Sequence, residues 1–354
     1  MSPPAPPEQL CLLRLSALGD VTHVVPLVRT LRRHWPDTRL VWIVGRLEHK
    51  LVEDLPGVEF VVFDKSAGWA GHRAVGRALA GRRFDALLQM QVALRANLLS
   101  MRVRAPLRIG YDPARSRDLH GMFVNRRIPA RTGEHVLDAI GSFLEPLGLR
   151  QERVEWDLPI PAQAREFAQA QLPGDQPTLL VSPCASHAVR NWHASGYAAV
   201  ADHAIGRHGY RVVLCGGRSE LERRTGDAIV AAMREPVLDL IGKDTIQQLL
   251  ALLERADVVL TPDSGPMHVA NAVGTRVIGL HAASNPRRSG PYSDLRFCVD
   301  RYDDAARRFR GRPAADLPWG TKLEHPGVMD LIGIDEVIEC FDRFAAWRRS
   351  TPSP

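Results

Sequence analysis

Lysine is nearly missing from this 354-residue chain. It occurs only at positions 50, 65, 243 and 322, so almost all 46 basic residues are arginine. Codon bias accounts for that choice as readily as function does. No apolar stretch reaches the roughly 18 residues that a bilayer span needs. The start, MSPPAPPEQL, lacks a basic n-region, and Arg14 interrupts the apolar run that follows, so no signal peptide is expected. The five cysteines (Cys11, Cys184, Cys215, Cys298, Cys340) form no C-x-x-C pair, which argues against a zinc ribbon or a disulfide framework and suits a reducing cytoplasm. There is no G-x-G-x-x-G fingerprint, which disfavours a nicotinamide dehydrogenase. There is no D-x-D motif, and Asp303–Asp304 reads as a solvated acidic pair. The arginines are dispersed and no zinc finger or RNA-recognition motif is found, so nucleic acid is not an expected partner.

What remains is a globular composition, 45% hydrophobic and 24% charged. The length suits two domains of about 150 residues each. The net charge of +6, with a pI near 9.3, favours anionic partners such as nucleotides, phosphorylated lipids or a negative membrane face.

Short β-branched runs alternate with longer amphipathic segments. LCLLRL (10–15), RLVWIV (39–44), VEFVVF (58–63), FDALLQM (84–90) and LRIGY (107–111) read as strands, with helices expected over 21–35, 94–103 and 135–148. The Pro-rich DLPIPAQ (157–163) is the best linker. The alternation then restarts with strands TLLVSP (178–183), RVVLCGG (211–217), DVVLTP (257–262) and RVIGLH (276–281), and helices over 194–208, 219–232, 244–255 and 265–273. Apolar strands separated by helices predict parallel sheets covered on both faces. The expected fold is therefore α/β, two Rossmann-like domains over 1–160 and 161–333. A basic, irregular stretch (301–325) precedes a last helix within 334–354. Ligands of such sheets bind where strands end and helices begin.

Four such turns carry polar residues. RLSALGDVTH (14–23) places Asp20 near a helix start, either as a cap or as a general base facing a cleft. SPCASHAVRNWH (182–193) offers Ser186 as a donor and Arg190 as a phosphate fork, or else a solvated loop with Trp192 on the core. CGGRSELE (215–222) offers two glycines for close approach and Glu220 for ribose hydroxyls, or else an acidic helix start. TPDSGPMH (261–268) ends a strand at Asp263 and opens a helix at Ser264, Gly265 and Pro266, with His268 a turn further on; such a start is an anion site.

In order along nearly the whole chain, these turns resemble the ADP-heptose:lipopolysaccharide heptosyltransferases, glycosyltransferase family 9. The D-S-G-x-x-H stretch followed by ANAVGTRVIGL is the most specific part, and the early G-D turn the second. The resemblance implies a GT-B fold, two Rossmann-like domains facing a central cleft, with the last helix returning to the N-terminal domain. It implies inverting transfer of heptose from an ADP-sugar donor to the lipopolysaccharide inner core, without cofactor or metal. Asp20 matches the family's catalytic base. Ser186, Arg190, Glu220, Asp263, Ser264, Gly265 and His268 match donor-nucleotide positions, and Arg117 and His135 match positions near the acceptor. The expected location is cytoplasmic, peripheral on the anionic inner face of the inner membrane. Arg190 stands where the family more often has lysine, and AASNP (282–286) where many members read G-P-T-D-P. The alternatives are a transferase using another nucleotide-sugar or acceptor, or a nucleotide-sugar-binding module in which Asp20 only caps.

Overall fold

The computed structural model describes residues 5–351; the first four residues of the Pro-rich start and residues 352–354 of the final span lie outside the described residues. The chain divides into two units, Met1–Pro159 and Ile160–Pro354, and the division falls inside the 157–163 linker. The first unit holds strands β1 (Gln9–Leu13), β2 (Arg39–Gly45), β3 (Val58–Phe63), β4 (Ala86–Gln89), β5 (Leu107–Gly110) and β6 (Arg126–Arg127). The second holds β7 (Thr178–Val181), β8 (Arg211–Leu214), β9 (Leu238–Asp239), β10 (Val258–Pro262), β11 (Arg276–His281) and β12 (Val299–Asp300).

The first sheet runs β3-β2-β1-β4-β5-β6 and the second β12-β11-β10-β7-β8-β9, every pair parallel. Both are the doubly wound order of a Rossmann fold. Burial follows position. Central β4, β7 and β10 are buried at every residue, whereas edge strand β3 alternates and exposes Val62. The order of each sheet reverses between two neighbours, β1 and β4 in the first and β7 and β10 in the second. The crevices at those carboxyl ends are where a ligand gains access to helix starts from both directions.

Three short strands, β6, β9 and β12, escape sequence reading because two residues carry no periodicity. The stretch 301–325 is not wholly irregular: Tyr302–Arg310 is a helix that buries Tyr302, Ala305 and Ala306 and turns its arginines outward. An Asp303–Arg307 ion pair braces its outer face. The first helix runs Leu18–His34, earlier than expected, with Pro26 inside it. The last helix, Ile334–Ser350, was expected on the first domain. Its buried face, Val337, Cys340, Phe341, Phe344 and Ala345, belongs instead to the core of the second unit, where it packs on helix Ala194–His208.

Phe341 is fully buried, with its ring 5.1 Å from Tyr210 and 5.5 Å from His208. Phe341→Ala is expected to destabilise the second unit by about 3–5 kcal/mol, the usual cost of emptying a core aromatic site. Urea unfolding followed by tryptophan fluorescence measures it; a loss under about 1 kcal/mol would mean that the last helix is not part of that core.

Candidate active site

The first unit's switch point is built around Arg14 and Asp20. Arg14 follows β1 and donates to the carbonyl oxygen of Met90, just past β4, while Leu15 N–H donates to Gln91 Oε1 at 2.8 Å. Asp20 is the third residue of its helix rather than the N-cap, which is Ala17. Its Oδ2 accepts from Ala17 N–H at 3.0 Å and meets Arg14 Nη2 at 2.5 Å. Burial disfavours the Arg14 charge, but Asp20 and Tyr111 more than offset it. The arginine is therefore a fixed cation that aims a carboxylate, and that carboxylate keeps 39% of its exposure. A group so placed can meet a substrate hydroxyl.

His135 is buried as N-cap of helix Val136–Gly141. Its Nδ1 accepts from Leu137 N–H at 3.1 Å, and its ring stands edge-on to His23 at 5.7 Å. Arg117 is exposed and lines a hollow of about 370 Å³ with Ser116, His120, Met122 and Arg127. His120 Nε2 accepts from Tyr111 N–H at 3.1 Å, so Nδ1–H donates to Asn97 Oδ1 at 2.9 Å. Burial, aided by Arg127, pushes this imidazole down to about 4, so it is neutral.

In the second unit, the turns after β7 and β10 meet. Arg190 is buried; its Nη2 donates to Ser186 Oγ at 3.2 Å and its Nη1 to the Asp263 carbonyl oxygen at 3.5 Å. Nη1 also lies 3.9 Å from Asp263 Oδ2, and Nε lies 3.3 Å from Glu324 Oε1. Asp263 itself is buried, with Ser289 Oγ donating to Oδ2 at 3.3 Å and His268 Nε2 standing 3.8 Å from Oδ1. Burial would raise its carboxyl. Contact with His268, together with His281 and Lys322, more than offsets that and holds it well below the ordinary carboxylate range. Lys322 is carried in by a chain segment whose Leu323 N–H donates to Ala283 O at 2.8 Å. Desolvation first, then Arg190 and Arg288, lower this lysine against the pull of Asp263.

Ser264 sits at the N-cap of helix Gly265–Ala272, but its hydroxyl pairs with Thr261 Oγ at 2.9 Å and makes no side-chain cap. The amides of this helix start are a candidate diphosphate contact, with Arg190 and Lys322 beside the Asp263 and Glu324 carboxylates. Trp192 lies on the core, with Nε1 donating to Ile332 O at 3.0 Å.

The third turn is arranged differently from expectation. Glu220 is exposed and pairs with Arg224 at 3.6 Å, without reaching the Asp263 cluster in any contact seen among the described residues. The carboxylate that turns inward is Glu222. It accepts from Gly217 N–H and Ser219 Oγ, each at 2.6 Å. A Cβ on Gly217 would lie 2.9 Å from Glu222 Oε2, so the glycine serves this bond. The departures in AASNP also have local work. Asn285 caps helix Pro286–Ser289 by accepting from Arg287 N–H, and Ser284 Oγ lies 3.3 Å from His281 Nδ1.

Sequence reading missed Arg14, Glu222, Ser289, Lys322 and Glu324. Arg14 lies in the 14–23 turn and Glu222 in the 215–222 turn, so their signal is present in the sequence. Lys322 and Glu324 lie some 60 residues beyond Asp263 in an irregular segment, and no local pattern marks them.

The profile of glycosyltransferase family 9 (heptosyltransferase) matches residues 72–313. The chain is 39% identical over 332 residues to the lipopolysaccharide core heptosyltransferase OpsX of Haemophilus influenzae, covering 94% of this chain and 95% of that one. It belongs to glycosyltransferase family 9. The solved family 9 glycosyltransferase of Veillonella parvula superposes with a TM-score of 0.78 at 23% identity, covering 96% and 97% of the two chains. The Escherichia coli heptosyltransferase WaaC with ADP superposes at 0.71 and 16% identity, covering 95% and 99%. At those identities the structures speak for the fold, which is GT-B, and the family makes this chain a glycosyltransferase.

The depressed Asp263 carboxyl has a testable sign. Its stabilisation is complete above the ordinary Asp value near 4 and is lost as pH falls below it toward the depressed value. Asp263→Asn should therefore flatten the acid side of the stability profile. Urea midpoints between about pH 2 and 7 test this; parallel profiles for the two proteins would show that Asp263 is not held ionised by the fold.

Proposed function

We propose that this glycosyltransferase moves heptose from ADP-heptose to the lipopolysaccharide inner core by a single inverting displacement. The observation that carries this reading is the buried Arg190–Asp263–His268 cluster, with Lys322, beside the helix start at Ser264–Gly265. Asp20 takes the proton of the acceptor hydroxyl as it attacks the anomeric carbon. The leaving ADP gathers negative charge, which Arg190, Lys322, the helix amides and His268 meet. Arg190 orients the phosphates through its planar fork, and Asp263 holds Arg190 and His268 in place. Ser186 lies beside the Arg190 fork on the donor side. Glu220, exposed at the third strand end, is the carboxylate for the ribose hydroxyls, and Glu222 holds the turn that presents it. The acceptor side uses Arg117 and His135. No metal enters the chemistry, because fixed cations supply the neutralisation.

The acceptor lipid places the protein at the inner face of the inner membrane. No helix among the described residues is long and apolar enough to cross it. Exposed Trp69, Met101, Leu119 and Met122 on the arginine-rich first unit suit peripheral contact with anionic lipid.

Purified protein with ADP-heptose and truncated core acceptors should release ADP and give a heptosylated product; ADP binding without turnover would leave only a binding module. Chelator should leave transfer intact, and complete loss restored by magnesium would overturn the metal-free mechanism. Asp20→Asn keeps an oxygen to accept from Ala17 N–H but cannot take a proton at neutral pH. Single-turnover transfer should fall roughly 10²–10⁴-fold with ADP affinity nearly unchanged. Near-normal turnover in a folded variant would return Asp20 to a structural role.

A further inference from the structure

Away from this site, two imidazoles and a carboxylate converge between helix Ala194–His208 and the last helix. His203 Nε2 and His208 Nε2 lie 2.7 and 2.6 Å from the same oxygen, Oδ1 of Asp342. The three donor atoms all lie within 4.8 Å of one another. We propose that His203, His208 and Asp342 form a structural site for one divalent transition ion of the zinc type, which ties the last helix to the second unit.

The residue types select the ion class. Two imidazole nitrogens and one carboxylate suit zinc, cobalt, nickel or copper, whereas magnesium and calcium prefer all-oxygen shells. Donors around a tetrahedral zinc stand about 3.3 Å apart, from bonds of about 2.0–2.2 Å. The nitrogen–oxygen separations of 2.7 and 2.6 Å need a small opening about the side-chain torsions to reach it. The side chains are 24%, 10% and 46% exposed, so the ion has an entry path and a water can complete its shell.

The rings are already positioned. His203 and His208 pack edge to face at 5.4 Å, and His208 packs on Phe341 at 5.5 Å. One group stands against an ion: Arg349 Nη1 lies 3.4 Å from His208 Nδ1. With Nε2 on the ion, Nδ1 carries the proton, so Arg349 must turn aside. It is exposed and at the helix end, where it is free to do so. Without an ion, both Nε2–H groups donate to one carboxylate oxygen; an ion would take both nitrogens and the carboxylate in their place.

The position indicates a structural role. Helix Ala194–His208 starts at the turn after β7 and ends just before β8, so His203 and His208 lie toward the amino ends of the strands. The nucleotide corner lies at the carboxyl ends. The ion bridges two helices that the apolar face of the last helix already packs together, while the Arg348–Asp257 ion pair ties the last helix to the foot of β10.

The full-length protein, stripped with EDTA and dialysed, should bind one zinc ion per chain by titration calorimetry, with a rise in melting temperature that calcium and magnesium do not give. Cobalt(II) should develop visible bands that zinc abolishes. His203→Gln and Asp342→Asn should each weaken zinc binding at least on the order of 10- to 100-fold, the range seen for losing even a supporting group, and lose the cobalt bands. Asp342→Asn changes charge with little change of shape, so it tests the site even if His203→Gln folds poorly, and circular dichroism establishes which variant is folded. Zinc bound equally by wild type and a folded variant, or no zinc bound by wild type, would leave a shared hydrogen bond and overturn the site.

Discussion

A carboxylate shut away from water must find compensation, and Asp263 is the clearest case in this protein. An isolated buried charge would cost several kcal/mol, so the fold around it has to supply donors and cations. Satisfying it draws together Arg190 from the turn after β7, His268 from the helix after β10, Ser289 from beyond β11, and Lys322 from a segment near the end of the chain. Three pieces separated in sequence are thereby registered on one point, and Lys322 adds its charge from further off. The cations that compensate Asp263 are also those proposed to meet the donor phosphates. The ordering of the site and its proposed affinity for phosphate would then have one origin.

The two sheets share a strand order, yet their switch points carry carboxylates in contrasting settings. Asp263 is almost wholly enclosed; Asp20 keeps more than a third of its exposure and leans on one arginine. Enclosure suits an anchor that never meets substrate. Exposure suits the proposed base, which must touch a hydroxyl and exchange its proton. The same chemical group, after the first strand in one sheet and the fourth in the other, thus differs in its access to solvent.

The architecture was legible because parallel strands buried on both faces must be apolar throughout, and their turns must hold the polar residues. The nine strands of four or more residues follow from that rule. Two-residue strands such as β6 do not, since their identity lies in the pairing partner. Asp263, His268 and Arg190 were legible as turn residues. Which of the two nearby acids caps the helix was not legible: Glu222, three residues past the Ser219 cap, reaches back to Gly217 and Ser219, while Glu220 stays exposed. The last helix was misplaced because amphipathic spacing tells that a face is buried and not what buries it. Lys322 was invisible because its partner lies across the fold.

Each sheet is held at its middle by a pairing between its earliest strand and its fourth. Leu10 lies beside Ala86, and Leu179 beside Val258, so a long length of chain must be gathered before the central contact forms. Loop-closure entropy is spent before the contact repays it, which slows folding relative to helical proteins of similar stability. While β1 or β7 waits for its distant neighbour, one side of a fully apolar strand is unpaired. The emerging chain therefore has a vulnerable interval in each unit, and it closes only when β4 or β10 has been made.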